Sequence, residues 1–482
     1  MKVAVVGTGF AGFGAVSALI KKPEIEVHVF DIGLIDKHPN QKDLNVPNAK
    51  TYKGSFFSYG VNDDRWCVKL KSKRICSSHA LGGHSTVYSG AILYPKAEDL
   101  AEWPEETRPL ASDYKSVLQR MDILHEPDDL DSEFPIYPEE SNLSGAMEPV
   151  TSSACLGLSR VALTKSETDR NKSRSIFKTA DFFESLFREK KIIYKSGCYL
   201  IKVSKHAGKL RLQFEVAPGQ LEWVEGFDAV FLGAGCVNTT GVVDRSIYGL
   251  GTRRYELKSA GVSIAAFVRV KTTLDSGHAK RRQLNLPEFF LEINSAQTRH
   301  TWSHTQITAI NEQIISAIGS KIPFFRDGVA DFFRNLFYFS LTCVHSRHSN
   351  TIPLSCRTLA ENDFLISIQE PNAFEGMEDF RKALYSGVRK HWRRLRLLPL
   401  PFGRQFADFF RGNKLGGWHF GGTLPMSESP EIGSCKPNGE VFGLDATFVI
   451  DSAAFPEIPG STVALLISAH AHRVASSWMN KR

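Results

Sequence analysis

His419 is the residue whose neighbours mark it most clearly for acid–base work. An imidazole changes charge near neutral pH, so it can take a proton from a substrate and give it up again. A histidine met alone more often packs into a core or faces solvent. Here Gly416-Gly417 precede it and Gly421-Gly422-Thr423 follow it, a density of glycine suited to a backbone pressed against a ligand. A second reactive stretch is Gly7-Thr8-Gly9-Phe10-Ala11-Gly12, a GxGxxG spacing. Gly7 permits a tight turn, Gly9 lets the backbone approach a pyrophosphate, and Gly12 lets the helix lie close to its strand. The start of that helix offers free N–H groups and a positive dipole end. Asp31, about 20 residues beyond the glycines, is placed to accept hydrogen bonds from a ribose. This pattern predicts dinucleotide binding over the alternative of a glycine-rich turn in another α/β fold. By itself it leaves NAD and FAD both open.

The elements needed to position these groups are legible around them. Lys2–Val6 is a short apolar run of the kind that forms a buried parallel strand. Ala15, Val16, Ala18, Leu19 and Ile20 recur at helical spacing, and Val27, Val29 and Phe30 make a second strand that ends at Asp31. A further buried strand over 228–232 runs into Gly233-Ala234-Gly235, and 192–194 and 197–201 also read as strands. Alternation over 262–270, 289–293 and 364–368 predicts strands of a half-buried sheet.

Several segments together resemble the glucose–methanol–choline (GMC) oxidoreductases. Ala80-Leu81-Gly82-Gly83-His84-Ser85-Thr86-Val87-Tyr88-Ser89-Gly90 is similar to the small-residue loop that lies along the isoalloxazine ring in that family. Cys236-Val237-Asn238-Thr239-Thr240-Gly241 resembles its return into the cofactor domain. Trp418-His419-Phe420-Gly421-Gly422-Thr423 resembles the element carrying its catalytic histidine, and 441–452 the strand beneath the flavin. Phe455-Pro456-Glu457-Ile458-Pro459 and a closing helix over 462–478 complete the likeness, which hardly reaches the region from about 270 to 410.

The resemblance implies an α/β fold: a Rossmann-like FAD-binding domain of the GMC and glutathione-reductase type, with a second α+β substrate domain containing an antiparallel sheet. It divides the chain into FAD-binding parts at 1–110, 155–260 and 415–482, a lid or excursion at 111–154, and a substrate domain at 261–414. The implied cofactor contacts are Gly7, Gly9, Phe10, Ala11, Gly12 and Asp31; Gly82, Gly83, His84, Ser85 and Tyr88; Leu200, Ala234 and Gly235; and Asp451, Ser452, Ser461 and Thr462. The implied chemistry is hydride transfer from an alcohol or sugar carbon to flavin N5, with His419 taking the hydroxyl proton and oxygen or a quinone-like acceptor reoxidising the flavin.

The chain departs from the family after the proline turn. Where the family carries a second His or Asn, this sequence reads Pro459-Gly460-Ser461-Thr462-Val463, so Thr462 takes that place and a single-base mechanism is expected. His470 and His472 fall deeper in the following helix and are expected to pack. The position that bears covalently attached flavin in some relatives is Val87, so the FAD is expected to be held noncovalently. The competing readings are an NAD(P)-dependent reductase and a flavin-binding protein without alcohol-oxidising activity.

The rest of the composition narrows the setting. A net charge of +7 over 482 residues, without a long run of one sign, argues against nucleic-acid binding. Eight cysteines (Cys67, Cys76, Cys155, Cys198, Cys236, Cys343, Cys356 and Cys435) contain no CxxC pair. Such scatter suits reduced thiols better than a disulfide framework, a zinc site or a dithiol flavin reductase. With a strand beginning at Lys2 and no apolar run of about 18 residues, no cleavable signal or membrane span is expected, and the location reads as cytoplasmic. Two unusual stretches remain. Phe324, Phe325, Phe332, Phe333, Phe337 and Phe339 crowd around Arg326 and Arg334, and 389–398 is basic and amphipathic. Both are expected to be core helices with a solvated face; the alternative is contact with a membrane surface or a lipid-linked substrate.

Overall fold

The computed structural model describes residues 1–33, 50–52, 55–57, 66–72, 77–86, 88–123, 148–151, 154–158, 160–162, 164, 176–269, 287, 289–294, 302–309, 336–360, 362–369, 384–386, 388–389, 392, 397–400 and 419–481. Its organising element is a five-stranded parallel sheet in the order Thr447–Val449, Ala229–Leu232, Lys2–Val6, Glu26–Phe30, Ile193–Lys195. The strands at its centre are apolar without alternation because both faces are covered: Val3, Ala4, Val5 and Val6 are all buried. On one face lies the helix Phe10–Leu19, every residue of which is buried, so it carries no polar side. It packs on the closing helix Ala464–Asn480 so tightly that a side chain at Gly14 would begin 2.0 Å from the Ser468 carbonyl oxygen. The antiparallel meander Tyr199–His206, Lys209–Ala217, Gln220–Phe227 joins the same core through Phe214, stacked 4.7 Å from Phe30.

The helix Ala111–Met121 belongs to this core and not to a lid. Tyr114, Val117, Leu118 and Met121 are buried in it at helical spacing, and Asp113 faces His472 of the closing helix at 2.7 Å. The acidic, proline-bearing stretch that prompted the lid expectation lies outside the described residues.

A seven-stranded antiparallel sheet stands opposite. Its order is Leu397–Pro399, Gly261–Arg269, Phe337–Val344, Trp302–Ala309, Phe289–Asn294, Ala154–Leu158, Glu148–Thr151. The last two strands cross the expected boundary at 154/155. They join this sheet because their backbones pair with the edge of Phe289–Asn294, whose N–H and C=O groups need partners. A boundary at 260/261 is crossed as well. Gly251–Ser259 pairs with Ile352–Ala360 in a third, mixed sheet that continues through Asp363–Ile368 to Val68–Lys71 and holds Phe420–Gly421 on its other edge.

The antiparallel sheet has two unlike faces. Leu291 and Ile307 pack on one side with Phe267, Tyr338, Leu384, Val388 and Leu397. Phe290 packs on the other with Ala91 and Leu93, and Glu292, His304 and Gln306 share its side by alternation. Phe337 and Phe339 of the phenylalanine-rich stretch fall on a strand of this sheet. Its other phenylalanines and arginines, and most of 390–396, lie outside the described residues. No helix among the described residues is long and apolar enough to cross a membrane.

Candidate active site

A cavity of about 260 Å³ opens beyond the carboxyl ends of the parallel strands, facing the antiparallel sheet. Ends of parallel strands are where open α/β sheets bind ligands, because the chain diverges there and helix N-termini point inward. The turn after Lys2–Val6 makes the first wall. Gly7 has φ +99°, and a Cβ there would start 2.2 Å from the Gly233 carbonyl oxygen. Gly12 would likewise put a Cβ 2.0 Å from the Gly7 oxygen, so it seats the helix and does not itself line the cavity. Gly9, the residue at which the helix begins, has nothing within 4 Å of where its Cβ would be. Gly9, Phe10 and Ala11 therefore frame open space at a helix N-terminus, the setting in which backbone N–H groups hold a phosphate.

Asp31, at the end of the neighbouring strand, also lines this space. Its Oδ2 accepts from the Thr8 hydroxyl and, at 3.0 Å, from the Thr8 N–H. Burial raises its pKa to about 6 against the pull of these bonds. Thr8 Oγ1 in turn accepts from the Gly82 N–H at 2.9 Å, which ties the fingerprint turn to the small-residue loop. In that loop Gly83, His84 and Tyr88 reach the cavity, whereas Gly82 and Ser85 do not. Ser85 is a fastener: its hydroxyl donates to the Gly82 carbonyl at 2.7 Å and meets Thr179 Oγ1 at 2.8 Å. Tyr88 donates to the Phe177 carbonyl at 2.8 Å and sets its ring edge-on against Phe10. Burial lowers His84 to about 4. Val87 lies outside the described residues.

Leu200, Ala234 and Gly235 complete the side of the cavity nearest Asp31 and the fingerprint. Asp451 and Ser452 form part of the wall with their side chains already engaged. Asp451 accepts from the Thr239 hydroxyl at 2.6 Å and the Ala453 N–H at 2.9 Å, and burial raises its pKa to about 6. Ser452 Oγ donates to the Phe420 carbonyl at 2.5 Å.

His419 and Thr462 meet at this same cavity. Burial lowers His419 to about 4, with the adjacent His304 adding to the effect, so the ring is neutral at physiological pH and keeps a lone pair free for a proton. Thr462 Oγ1 is buried without a hydrogen-bond partner among the described residues, as is Ser461 Oγ just behind it, which does not reach the cavity. His470 and His472 pack inside the closing helix, both buried. Gly416 and Gly417 lie outside the described residues. Among the described residues no group of His, Cys, Asp and Glu side chains could hold a metal ion.

Residues 369–471, which include His419, Asp451, Ser452, Ser461 and Thr462, match a family described as GMC oxidoreductase. Over this region the chain is similar to the GMC oxidoreductases. Two solved structures share its fold over 99% of each chain. One is pyridoxine 4-oxidase from Mesorbium loti, at 15% identity and TM-score 0.61. The other is an FAD-dependent oxidoreductase from Chaetomium thermophilum, at 11% identity and TM-score 0.59. No curated protein matches the sequence.

The chain also brings to this cavity residues not expected there from the sequence. Gln306 reaches it from the antiparallel sheet and accepts from the Ser89 hydroxyl at 3.1 Å. Asn238 donates to Ser77 Oγ at 2.8 Å and accepts from the Tyr199 hydroxyl at 3.2 Å, joining three lining segments. Asn238 belongs to a recognisable motif. Gln306 is a single amide in an alternating strand, and nothing in its sequence neighbourhood distinguishes it.

Proposed function

We propose that the protein is an FAD-dependent oxidoreductase that oxidises an alcohol or sugar hydroxyl, with His419 as its base. One observation carries this reading: a neutral, buried imidazole and an unpartnered hydroxyl share a cavity with an open helix N-terminus and a carboxylate. The residues present fit the cofactor. Gly9 to Ala11 leave room at free N–H groups for a pyrophosphate, and Asp31 stands where a ribose hydroxyl can reach it. Leu200, Ala234 and Gly235 give the small and apolar wall that an adenosine needs. His84, Tyr88, Ser452 and Thr462 line the same cavity as His419, and an isoalloxazine ring would lie among them. We read attachment as noncovalent.

When bound, FAD supplies the electron sink for a hydride leaving the substrate carbon. His419 accepts the hydroxyl proton, which concentrates charge on the substrate oxygen as the carbon–hydrogen bond weakens. Thr462 directs its hydroxyl at the same oxygen and orients it; an aliphatic hydroxyl is too weak a base to take the proton. The buried surroundings of His419 exclude water from the reacting groups. The electron acceptor is read as oxygen or a quinone-like molecule. Cys67, Cys198, Cys236, Cys343, Cys356 and Cys435 are all unpaired thiols, which supports a reducing, cytoplasmic setting.

The test is anaerobic mixing of the flavin-bound protein with a panel of alcohols and sugars, pyridoxine among them, followed by flavin absorbance. Bleaching by at least one is expected. His419→Ala should keep its flavin and lose at least about 100-fold in the bleaching rate, the scale of a missing general base. Thr462→Ala should lose much less. Equal losses would make the hydroxyl a full partner, and a flavin that no panel member bleaches would favour a binding protein over an enzyme.

A further inference from the structure

Gln306 is the one residue of the seven-stranded sheet, among the described residues, that lines the cavity. On the strand Trp302–Ala309 it lies between Phe290 and Leu341 of the two neighbouring strands. Directly opposed residues of antiparallel strands share a face, and neither of these side chains can hydrogen-bond an amide. Gln306 is 7% exposed, and its Oε1 accepts from the Ser89 hydroxyl at 3.1 Å. Its N–H₂ group makes no hydrogen bond among the described residues. A carboxamide carries two donors, and burying them unmet costs free energy. This donor pair faces the cavity, and whatever fills the cavity has to meet it.

Two observations narrow the occupant. The Ser89 bond ties the amide to the loop of His84 and Tyr88, among whose residues an isoalloxazine ring would lie. Gln306 reaches that loop from the opposite wall. Gly9 to Ala11, Asp31, Ala234 and Gly235, which fit the rest of the cofactor, all follow strands of the parallel sheet. Charge is the second observation. Among the described residues no lysine, arginine or glutamate lines the cavity. Its carboxylates, Asp31 and Asp451, already hold donors from Thr8 and from Thr239 and Ala453. A charged substrate group would enter without a partner, which is costly in a buried site.

We propose that Gln306 is a specificity-determining residue whose amide N–H₂ donates to the substrate, an uncharged alcohol carrying a hydrogen-bond acceptor apart from the reacting hydroxyl. Ether oxygens, carbonyls, ring nitrogens and second hydroxyls are of this class. Ser89 is a positioning residue. By donating to Oε1 it fixes which end of the amide meets the cavity; turned by half a rotation, the same side chain would present its oxygen and select donors. The inference rests on the alcohol-oxidising reading, and the preference it assigns is also readable from binding alone.

The experiment uses the flavin-bound protein and alcohols matched in shape. Cyclohexylmethanol is compared with tetrahydropyran-4-ylmethanol, and benzyl alcohol with pyridin-3-ylmethanol and pyridin-4-ylmethanol. Anaerobic bleaching by wild type should favour at least one acceptor-bearing member about tenfold or more in kcat/KM, the scale of leaving a buried donor unmet. Gln306→Leu should bring that ratio to about one or below, and Ser89→Ala should narrow it. Gln306→Glu, which keeps the Ser89 bond but turns an oxygen to the cavity, should shift preference to the protonated piperidin-4-ylmethanol. A wild type without preference in either set would overturn the proposal. So would an unchanged ratio in Gln306→Leu together with lost flavin or shifted flavin absorbance, which would assign the amide to the cofactor. Where Gln306→Leu does not fold, Ser89→Ala decides by the same ratio. If no alcohol bleaches the flavin, the alcohol-oxidising reading fails, and calorimetric affinities of the same matched alcohols test Gln306 by the same ratios.

Discussion

The space at Gly9 makes a sharp prediction, because two glycines of one fingerprint should fail in different ways. At Gly9 a new side chain meets nothing within 4 Å and the backbone is extended, with φ −70° and ψ −168°. Gly9→Val therefore puts its methyl groups into the empty cradle without strain. Losing a glycine at the helix N-cap costs about 1 kcal/mol, and the stiffer unfolded chain returns roughly 0.4–1 kcal/mol. The flavin-free variant should thus unfold within about 1 kcal/mol of flavin-free wild type. Its flavin, displaced from the N–H groups, should bind at least 100-fold more weakly, which is about 2.7 kcal/mol. Gly12→Ala should do the reverse. Its Cβ begins 2.0 Å from the Gly7 oxygen, inside any tolerable contact, so the helix must move and stability should fall by about 1–3 kcal/mol or more. Flavin-to-protein ratios from absorbance, and urea unfolding of the flavin-free proteins, separate the two. A Gly9→Val protein that keeps one flavin per chain would show that no phosphate lies against this helix, and the placement of the cofactor would be wrong.

The acid limb of kcat/KM for flavin reduction should fall near pH 4, rising with pH as His419 loses its proton, and be level by about pH 6; a limb at the ordinary imidazole value of about 6.5 would mean a water-filled site. Thr8→Val keeps shape but strands the Gly82 N–H and leaves Asp31 with backbone donors alone, so stability should fall by about 1–3 kcal/mol and flavin should leave more readily; unchanged stability and retention would show that this tie is idle. Acid precipitation should free the flavin completely; a pelleted chain heavier by one FAD would point first to His84, which borders the cavity.

What could be read from sequence followed the range of the interactions. The parallel strands announce themselves as apolar runs because burial on both faces removes alternation, and the fingerprint turn is local by construction. The edge strands at 148–158 are not legible as part of this sheet because their partner, Phe289–Asn294, lies far along the chain and register leaves no local mark. The helix Ala111–Met121 carried a usable signal, apolar residues at 114, 117, 118 and 121, that its acidic neighbourhood outweighed. In the site, His419 and Thr462 came from motif resemblance, and the structure brings them to one cavity. Ser85 was assigned to the cofactor through the same resemblance, yet its hydroxyl is spent inside the protein. Sequence types name the atoms available, and only packing decides which remain free.

A cluster of charge is buried on the sheet face that carries Gln306. Glu292, Arg160 and His304 are each at most 5% exposed, with Lys96 completing the group. Taking a carboxylate and a guanidinium out of water costs several kcal/mol per ion, and well-packed apolar residues of similar volume often stabilise a fold as well or better. The strand pair gains nothing in register from them that its neighbours do not already supply. Leu291 and Ile307 hold the opposite face of the same two strands by packing alone. A cost of this kind without a structural return is what a functional site tolerates. Its place is the face of the sheet that carries Gln306 to the cavity.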